Sequence, residues 1–229
     1  PGKTAKAEFT MRIGSISTPP TPEPVFITEL ESVIEEATGG RIDVEVYTSG
    51  TLGTTVQMIT GLQDGSVQGV CVPINYYESY VPELGVLALP MLFKNADQGY
   101  RICRDPGKVH DLLDKYMESK GFVVGAWLTS ADSCLISVKP INKFEELKGL
   151  KVWCSSNSTL VAEMKSFGCD PVNFDTGDLA VGLQQKTIDG AFTGTQLIAP
   201  QKLYESAGYI LVPKEVSLGF NIQSLILSK

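Results

Sequence analysis

The chain has 229 residues, 43% of them hydrophobic, which is enough to bury the core of one large or two small domains. Its formal net charge of −7 and its pI near 4.8 argue against a nucleic acid or an anionic membrane surface as partner, because either requires a basic surface. The sequence contains no apolar run of the roughly 18 to 20 residues that span a bilayer and no charged-then-apolar leader, so we expect any targeting peptide to have been removed.

The first third of the chain alternates between strand-like and helix-like segments. Residues 9–17 read as a buried strand, and Pro24 opens a helix that Gly39 and Gly40 end. Residues 42–46 alternate as a strand, the segment SGTLG leads into a second helix that ends near Gly65, and residues 67–73 form a third strand. This order predicts an α/β fold with a mostly parallel sheet.

Polar and aromatic residues follow the predicted strands directly. Ser17 and Trp127 end the strands 9–17 and 122–127, and Asn75, Tyr76 and Tyr77 follow the third strand. In open α/β sheets ligands bind at the carboxyl ends of strands, so these five residues are candidate ligand contacts. The tyrosines fit a second interpretation equally well, in which they shield the edge of the core.

The rest of the chain continues the same alternation. A helix over residues 97–121 carries the only histidine, His110, which we interpret as a surface residue. Residues 133–138 form an alternating strand that crosses into a second lobe, and residues 146–194 read as a β-loop-α-β unit. A helix through Tyr204 and strands over 209–212 and 220–227 complete the chain.

The five cysteines are dispersed, with no C-x-x-C pair and no histidine nearby, so we expect no metal site and no cofactor. Cys134 and Cys154 flank the same segment, and a disulfide between them is conceivable in an oxidising compartment. Buried free thiols are the alternative.

The motifs LKGLKVW, GCDPV, DLAVGLQQ and TIDG follow one another in the order found in one family, and VEVYTSGTLGTTVQMITGLQDGSV matches its first-lobe pattern. In register from RIG to the final QSLILSK, the chain resembles the substrate-binding proteins of tripartite ATP-independent periplasmic (TRAP) transporters, of the C4-dicarboxylate-binding type. The resemblance implies a two-lobed periplasmic binding protein fold whose hinge cleft closes on a ligand. Lobe I is expected to contain residues 1–127 and 213–229, and lobe II residues 128–212. The family's C-terminal helices are missing from this sequence, so we expect a partial chain.

The departures from the family pattern concern its ligand contacts. Trp153 stands where the family has an arginine that clamps a ligand carboxylate, and Asp132 stands at the position of a second common arginine. Thr193 replaces an assisting asparagine and Thr176 an aromatic residue, whereas Asn157 matches a polar position that some members use.

The missing clamp favours an aromatic, neutral or amine-containing solute, held by the π face of Trp153 and the charge of Asp132. On this hypothesis, Trp153→Ala removes binding and leaves the fold intact. The alternative is that Trp153 only fills space and that an acid meets Lys139, Lys151 or Arg12.

The resemblance predicts a periplasmic monomer that binds a small solute and delivers it to TRAP membrane subunits. A periplasmic sensor that signals to a membrane receptor has the same sequence signature. An enzyme is disfavoured, because the chain has a single helix-borne histidine, no G-x-S-x-G motif and no dinucleotide fingerprint.

Overall fold

A computed structural model describes residues 7–128, 132–212, 217–219 and 222–229. The chain forms two compact α/β units, which confirms the predicted fold class. The first unit comprises Pro1–Pro82, Ile102–Leu128 and Ile222–Lys229, and the second comprises Glu83–Arg101 and Thr129–Asn221. The lobe boundaries expected from the sequence stay a prediction; the structural division differs from them mainly in assigning Glu83–Arg101 to the second unit.

The regular elements are named here in chain order. The strands are β1 (Phe9–Gly14), β2 (Ile42–Tyr47), β3 (Gly69–Pro73), β4 (Phe122–Leu128), β5 (Ser133–Ser137), β6 (Lys151–Trp153), β7 (Asp170–Val172), β8 (Gly190–Gly194), β9 (Tyr209–Leu211) and β10 (Gln223–Ser228). The α-helices are α1 (Pro22–Ala37), α2 (Thr55–Asp64), α3 (Ala96–Arg104), α4 (Lys108–Ser119), α5 (Ser158–Ser166) and α6 (Leu179–Gln184).

The sheet of the first unit has the strand order β2-β1-β3-β10-β4. β1 is parallel to β2 and β3, as the sequence predicts, whereas β10 is inserted antiparallel between β3 and β4. The carboxyl ends of β1 to β4 and the amino end of β10 therefore lie along one edge of this sheet. The apolar residues Ile13, Ile27 and Val44 form part of the core between the sheet and α1.

Local sequence signals fix the ends of the helices in this unit. The hydroxyl of Thr54 accepts the backbone N–H of Gln57, whose side chain accepts the N–H of Thr54, so a capping box starts α2. Gly65 ends α2 in the left-handed conformation (φ 78°), which costs glycine nothing.

Two helices predicted from the sequence are corrected. Residues 97–121 form α3 and α4 rather than one helix, because Pro106 and Gly107 interrupt the helical pattern. The predicted helix through Tyr204 consists of short 3-10 turns over Thr195–Leu197 and Leu203–Glu205. Residues 220 and 221 of the last predicted strand lie outside the described residues.

The sheet of the second unit has the order β7-β6-β8-β5-β9. β6 is parallel to β7 and β8, and β5 is antiparallel to both of its neighbours, β8 and β9. The carboxyl ends of β6 to β9 and the amino end of β5 therefore share one edge. β5 is buried along its whole length because it is a central strand with packed layers on both faces.

Candidate functional site

Strand register gathers the candidate residues of the first unit at one sheet edge. Gln223, the first residue of β10, lies opposite Pro73 at the end of β3 and opposite Leu128 at the end of β4. Asn75 follows β3 by two residues, and Trp127 lies opposite Ser224. The last strand and its return to this unit were expected from the sequence, whereas its antiparallel position between β3 and β4 was not.

Four residues at or next to these strand ends each have a buried polar atom without a hydrogen-bond partner among the described residues: Glu23 Oε2, Asn75 Oδ1, Trp127 Nε1 and Gln223 Oε1. Tyr77 Oη is also without such a partner, but its ring packs on Phe122 at the other end of β4. Leaving one such group unpaired costs about 1 to 3 kcal/mol. Four of them near the sheet edge where ligands of α/β folds bind are typical of a polar binding site.

Two of these residues were missed by the sequence analysis. Glu23 is 2% exposed in the first turn of α1, directly after the loop that follows β1. Gln223 is 3% exposed. A glutamate between two prolines at a helix start reads as an ordinary first-turn acid, and the place of Gln223 depends on a long-range strand pairing that no local pattern contains.

The remaining candidates of this unit follow β1 and β3 in the chain. The backbone N–H of the half-buried Ser17 donates to Ser15 Oγ at 3.1 Å, and Tyr76 is half-buried in the 3-10 turn Ile74–Tyr77. Tyr77 is 0% exposed and packs edge-to-face on Phe122 with ring centroids 5.4 Å apart. Burial is the main cause that raises the pKa of Tyr77 well above its usual value. Tyr77 thus matches the core-shielding interpretation more closely than Tyr76 does.

The second unit brings its own candidates to the matching edge of its sheet. Ser133 at the amino end of β5 lies opposite Gly194 at the end of β8, and the backbone N–H of Thr195 donates to the carbonyl oxygen of Asp132 at 3.1 Å. Thr193 is buried in β8 and lies opposite Cys134. The Oγ of Ser155, which the sequence analysis did not single out, is buried two residues past β6 without a partner in the described part of the chain.

Trp153 is a packed core residue in this structure. It is 6% exposed, lies in a buried cluster with Leu179 and Ile188, and its Nε1 donates to the carbonyl oxygen of Phe174 at 3.0 Å. Its ring contacts the Phe174 ring in a tilted arrangement with centroids 6.4 Å apart. The expectation that Trp153→Ala leaves the fold intact is therefore revised, because the substitution removes a large buried side chain.

Asp132 has a structural role that its sequence position did not reveal. Its Oδ1 accepts the backbone N–H of Ala96 at 2.9 Å, at the start of α3, and the hydroxyl of Ser217 at 3.3 Å. A carboxylate at a helix N-terminus is favourably placed in the field of the helix dipole. One oxygen of Asp132 thus orders the segment around it.

Asn157 and Thr176 lie in the loops that follow β6 and β7. The Oδ1 of Asn157 accepts the backbone N–H of Leu160 at 3.1 Å and so caps α5. Thr176 is half-buried at the start of a 3-10 turn over Thr176–Asp178. Both residues are near the strand ends, and Asn157 has a local role that accounts for its presence.

The three basic residues proposed as substitutes for the missing clamp lie away from these edges. Lys139 follows the carboxyl end of β5 and Lys151 begins β6, which places both at the opposite edge of their sheet. Arg12, in the first unit, pairs with Glu45 at 3.3 Å on the surface. The geometry gives no support to an acid held by any of the three.

All five cysteines are buried free thiols. A Cys134–Cys154 disulfide does not fit the sheet, because β8 lies between β5 and β6. Two strand spacings amount to about 9.6 Å, whereas the Cα atoms of a disulfide lie within about 7 Å of each other. Burial raises the pKa of both thiols to about 11, so neither is a reactive thiolate near neutral pH.

Among the described residues, no three His, Cys, Asp or Glu side chains are grouped so that they could hold a metal ion. Within that same part of the chain, no helix combines the length and the apolar character needed to cross a bilayer.

Two α/β units, each with a polar sheet edge and without a catalytic constellation among the residues described above, define a small-molecule binding protein. The model of the bacterial extracellular solute-binding proteins, family 7, matches residues 13–226. The chain belongs to this family.

Comparison with individual proteins agrees with the family match. The chain is 31% identical over 159 residues to the uncharacterized protein YiiZ of Salmonella typhimurium, covering 69% of this chain and 48% of that protein. It is 24% identical to the 2,3-diketo-L-gulonate-binding periplasmic protein YiaO of Escherichia coli, covering 87% and 60%. A TRAP periplasmic solute-binding protein from Pseudomonas putida F1, with bound D-glucuronate, superposes with a TM-score of 0.85 at 23% identity, covering 96% and 71%.

The family membership settles the broad class and the compartment. Its members are extracellular solute-binding proteins and not enzymes, and relatives whose names give a location are periplasmic. The predicted resemblance, the periplasmic location and the absence of an enzymatic role are thereby confirmed. The chain spans less than two thirds of the length of YiiZ and YiaO.

Proposed function

We propose that this chain is the solute-capturing part of a periplasmic binding protein that delivers a small organic solute, as a monomer, to the membrane subunits of a TRAP transporter. The observation that carries the proposal is the set of four buried polar atoms, from Glu23, Asn75, Trp127 and Gln223, that lie near one edge of the first sheet and have no partner among the described residues. A fold retains such a cluster at a cost in stability only where a ligand or ordered water completes its hydrogen bonds.

The chemistry of this cluster favours a solute rich in hydrogen-bond donors. Glu23, Asn75 and Gln223 each leave an acceptor oxygen without a partner among the described residues, against one N–H donor from Trp127. Hydroxyl and amine groups satisfy acceptors, whereas a carboxylate brings only further acceptors. YiaO and the Pseudomonas putida protein are named for acidic solutes, and this chain differs from the family pattern at both arginine positions. We therefore infer a neutral polyhydroxylated or amine-containing solute.

The proposed contacts divide into two groups. In the first unit, Asn75 and Trp127, with Glu23 and Gln223 added from the structure, are proposed contacts. In the second unit, taken by itself, Asp132 and Thr193, with Ser155 added from the structure, are proposed contacts. The half-buried Ser17, Tyr76, Asn157 and Thr176 remain predicted contacts. Tyr77 and Trp153 are proposed to act from beneath, by holding the strand ends in place.

The first test is mass spectrometry of small molecules released by denaturing the purified protein. We expect a polyol or an amine. Thermal-shift titration with succinate, erythritol and ethanolamine complements it, as acidic, neutral and cationic probes. Release of a plain carboxylate would overturn the proposed solute class. If nothing is released and no probe stabilises the protein, solute capture itself is contradicted.

Gln223→Met is expected to separate stability from binding. Removing the unpaired buried amide should raise the free energy of unfolding by about 1 kcal/mol, while the amount of solute that co-purifies falls about tenfold. Urea unfolding and mass spectrometry measure the two quantities.

The matched control is Ser224→Ala, one residue further along β10. The Ser224 hydroxyl donates to the carbonyl oxygen of Val72 at 3.2 Å, so its loss should lower stability by about 1 kcal/mol and leave the co-purifying solute unchanged. Unchanged solute retention in Gln223→Met would remove Gln223 from the site.

Asp132→Asn tests charge at the edge of the second unit. Asparagine keeps an oxygen for the Ala96 N–H and the Ser217 hydroxyl, so the fold should be retained. Affinity for ethanolamine should fall about tenfold and affinity for erythritol should stay the same, as isothermal titration can measure. Equal losses for both probes would assign Asp132 a purely structural role.

A further inference from the structure

The second unit contains a cavity that is separate from the strand-end residues described above. It has a volume of about 460 Å³ and lies along one face of α5. Its lining includes Leu89, Pro90, Ser158, Ala162, Glu163 and Ser166. Ser158, Ala162 and Ser166 follow one another at four-residue spacing and Glu163 precedes Ser166 by three, which places these residues on one side of that helix.

Glu163 is the exceptional residue of this lining. It is 5% exposed, and both of its carboxylate oxygens are buried without a hydrogen-bond partner in the described part of the chain. The next residue, Met164, packs into a buried apolar cluster with Cys154 and Cys169. An unpaired carboxylate is rarely retained in such surroundings, since its desolvation is among the largest penalties a side chain can carry.

Glu163 is also the only charged residue among those found to line the cavity, so its charge is not balanced there. The other lining groups are hydroxyls and short apolar side chains. We propose that this cavity binds an organic cation, an alkylammonium or guanidinium group whose N–H donors pair with the Glu163 carboxylate. The apolar residues Leu89, Pro90 and Ala162 would contact the alkyl portion, and nearby hydroxyls would accept remaining N–H donors.

Without a bound cation, the Glu163 carboxyl is mostly protonated at neutral pH. Burial raises the pKa of its carboxyl to about 8. A cation bound at the carboxylate favours the ionised form and supplies the partner that the described residues lack. The cavity is thus poised to exchange a proton for a cation near neutral pH.

This cavity goes beyond the proposed function, because it is separate from the proposed solute contacts. Glu163 lies six residues beyond the Asn157 cap, about 9 Å along the helix axis at 1.5 Å per residue. Two sources could supply the same chemistry: a free amine, or a lysine side chain of a polypeptide. Propylammonium represents the first and Nα-acetyl-lysine-N-methylamide the second.

The test is an NMR titration of the wild-type protein with both probes, followed through the amide resonances of Ala162 and Ser166. The neutral control probe is 1-propanol. We expect saturable shifts with propylammonium, none with 1-propanol, and about tenfold weaker propylammonium binding in Glu163→Gln. Glu145→Gln, which removes an exposed acid of the same unit, should bind like the wild type.

The outcomes of the titration separate a free amine from a lysine side chain as the ligand, and both from the absence of a cation site. Saturation by the lysine derivative but not by propylammonium supports the cation site and identifies a side chain as its source. Equal binding in wild type and Glu163→Gln, or no saturable shift with either probe, overturns the proposal. Gln223→Met, which alters the proposed solute site of the first unit, should bind propylammonium like the wild type. Propylammonium binding therefore tests the cavity even if the proposed solute site is wrong.

Discussion

Trp153→Ala is expected to lower the free energy of unfolding by about 3 to 5 kcal/mol, the range found when buried aromatic side chains are truncated. The indole is 6% exposed and packs in a cluster with Leu179 and Ile188, so its removal leaves a cavity in the core of the second unit. The Phe174 carbonyl also loses its hydrogen bond from Nε1. Urea unfolding measures the loss, and reduced solute retention should follow from it.

Trp153→Phe is the matched control for this prediction. It keeps most of the ring and removes the Nε1 donor, so we expect a loss of about 1 to 2 kcal/mol from the hydrogen bond and the smaller ring. If Trp153→Ala instead unfolds at the wild-type urea concentration and has lost its solute, the packing assignment is wrong and the tryptophan is a ligand contact.

The sequence predicted the fold where local signals and long-range arrangement agree. β1, α1, β2, α2 and β3 followed from alternation, helical spacing and glycine stops, because each boundary has its own residue-level cause. The break between α3 and α4 was predictable from Pro106 and Gly107, and the helical spacing around it concealed the signal.

The site was less predictable because its defining features are long-range. Asn75 and Trp127 were identified from the general rule about strand ends. Gln223 reaches the same edge only because β10 is inserted antiparallel beside β3. Glu23 lowers the stability of the fold only because its carboxyl group is buried, which the sequence does not show. Sequence reasoning offered Trp153 either as a π face for the solute or as a residue that only fills space, and it could not decide between them, since a family position carries no information on whether the new side chain turns into the core.

Glu163 illustrates the same limit. In the segment VAEMKS, a glutamate on an amphipathic helix reads as a solvated surface acid. Its burial is a tertiary consequence of where α5 packs, and it gives the residue an expected pH dependence that a surface acid does not have.

Wild-type protein is expected to lose stability relative to Glu163→Gln as the pH rises from about 4.5 to about 8. The folded-state pKa of Glu163 is raised to about 8 from an ordinary value of 4.5, because burial penalises the charged carboxylate. Between these pH values the unfolded chain has released the proton that the folded chain retains, so raising the pH favours unfolding. Above the folded-state pKa both states are ionised and the slope ends.

Glutamine cannot titrate, so the difference between the two unfolding free energies isolates Glu163. We expect near equality at pH 4.5 and an advantage of about 2 to 3 kcal/mol for Glu163→Gln at pH 9, less than the full pKa difference implies, because water can relax the ionised site. Burial raises the pKa of the Cys154 and Cys169 thiols to about 11 in the folded chain, and their ionisation in the unfolded chain at about pH 8.5 is common to both proteins, so it cancels in the difference. Urea unfolding across the pH range measures the difference, with Glu145→Gln expected to parallel the wild type.

Parallel curves for wild type and Glu163→Gln would contradict the raised pKa and indicate that Glu163 is already ionised and paired at neutral pH. Linkage adds a second criterion for the cation site. A ligand that binds the ionised carboxylate stabilises the fold more as that form becomes populated, so propylammonium should stabilise the wild type more at pH 9 than at pH 5. It should stabilise Glu163→Gln less, and equally at both values, because the charge that pairs with the ammonium is absent.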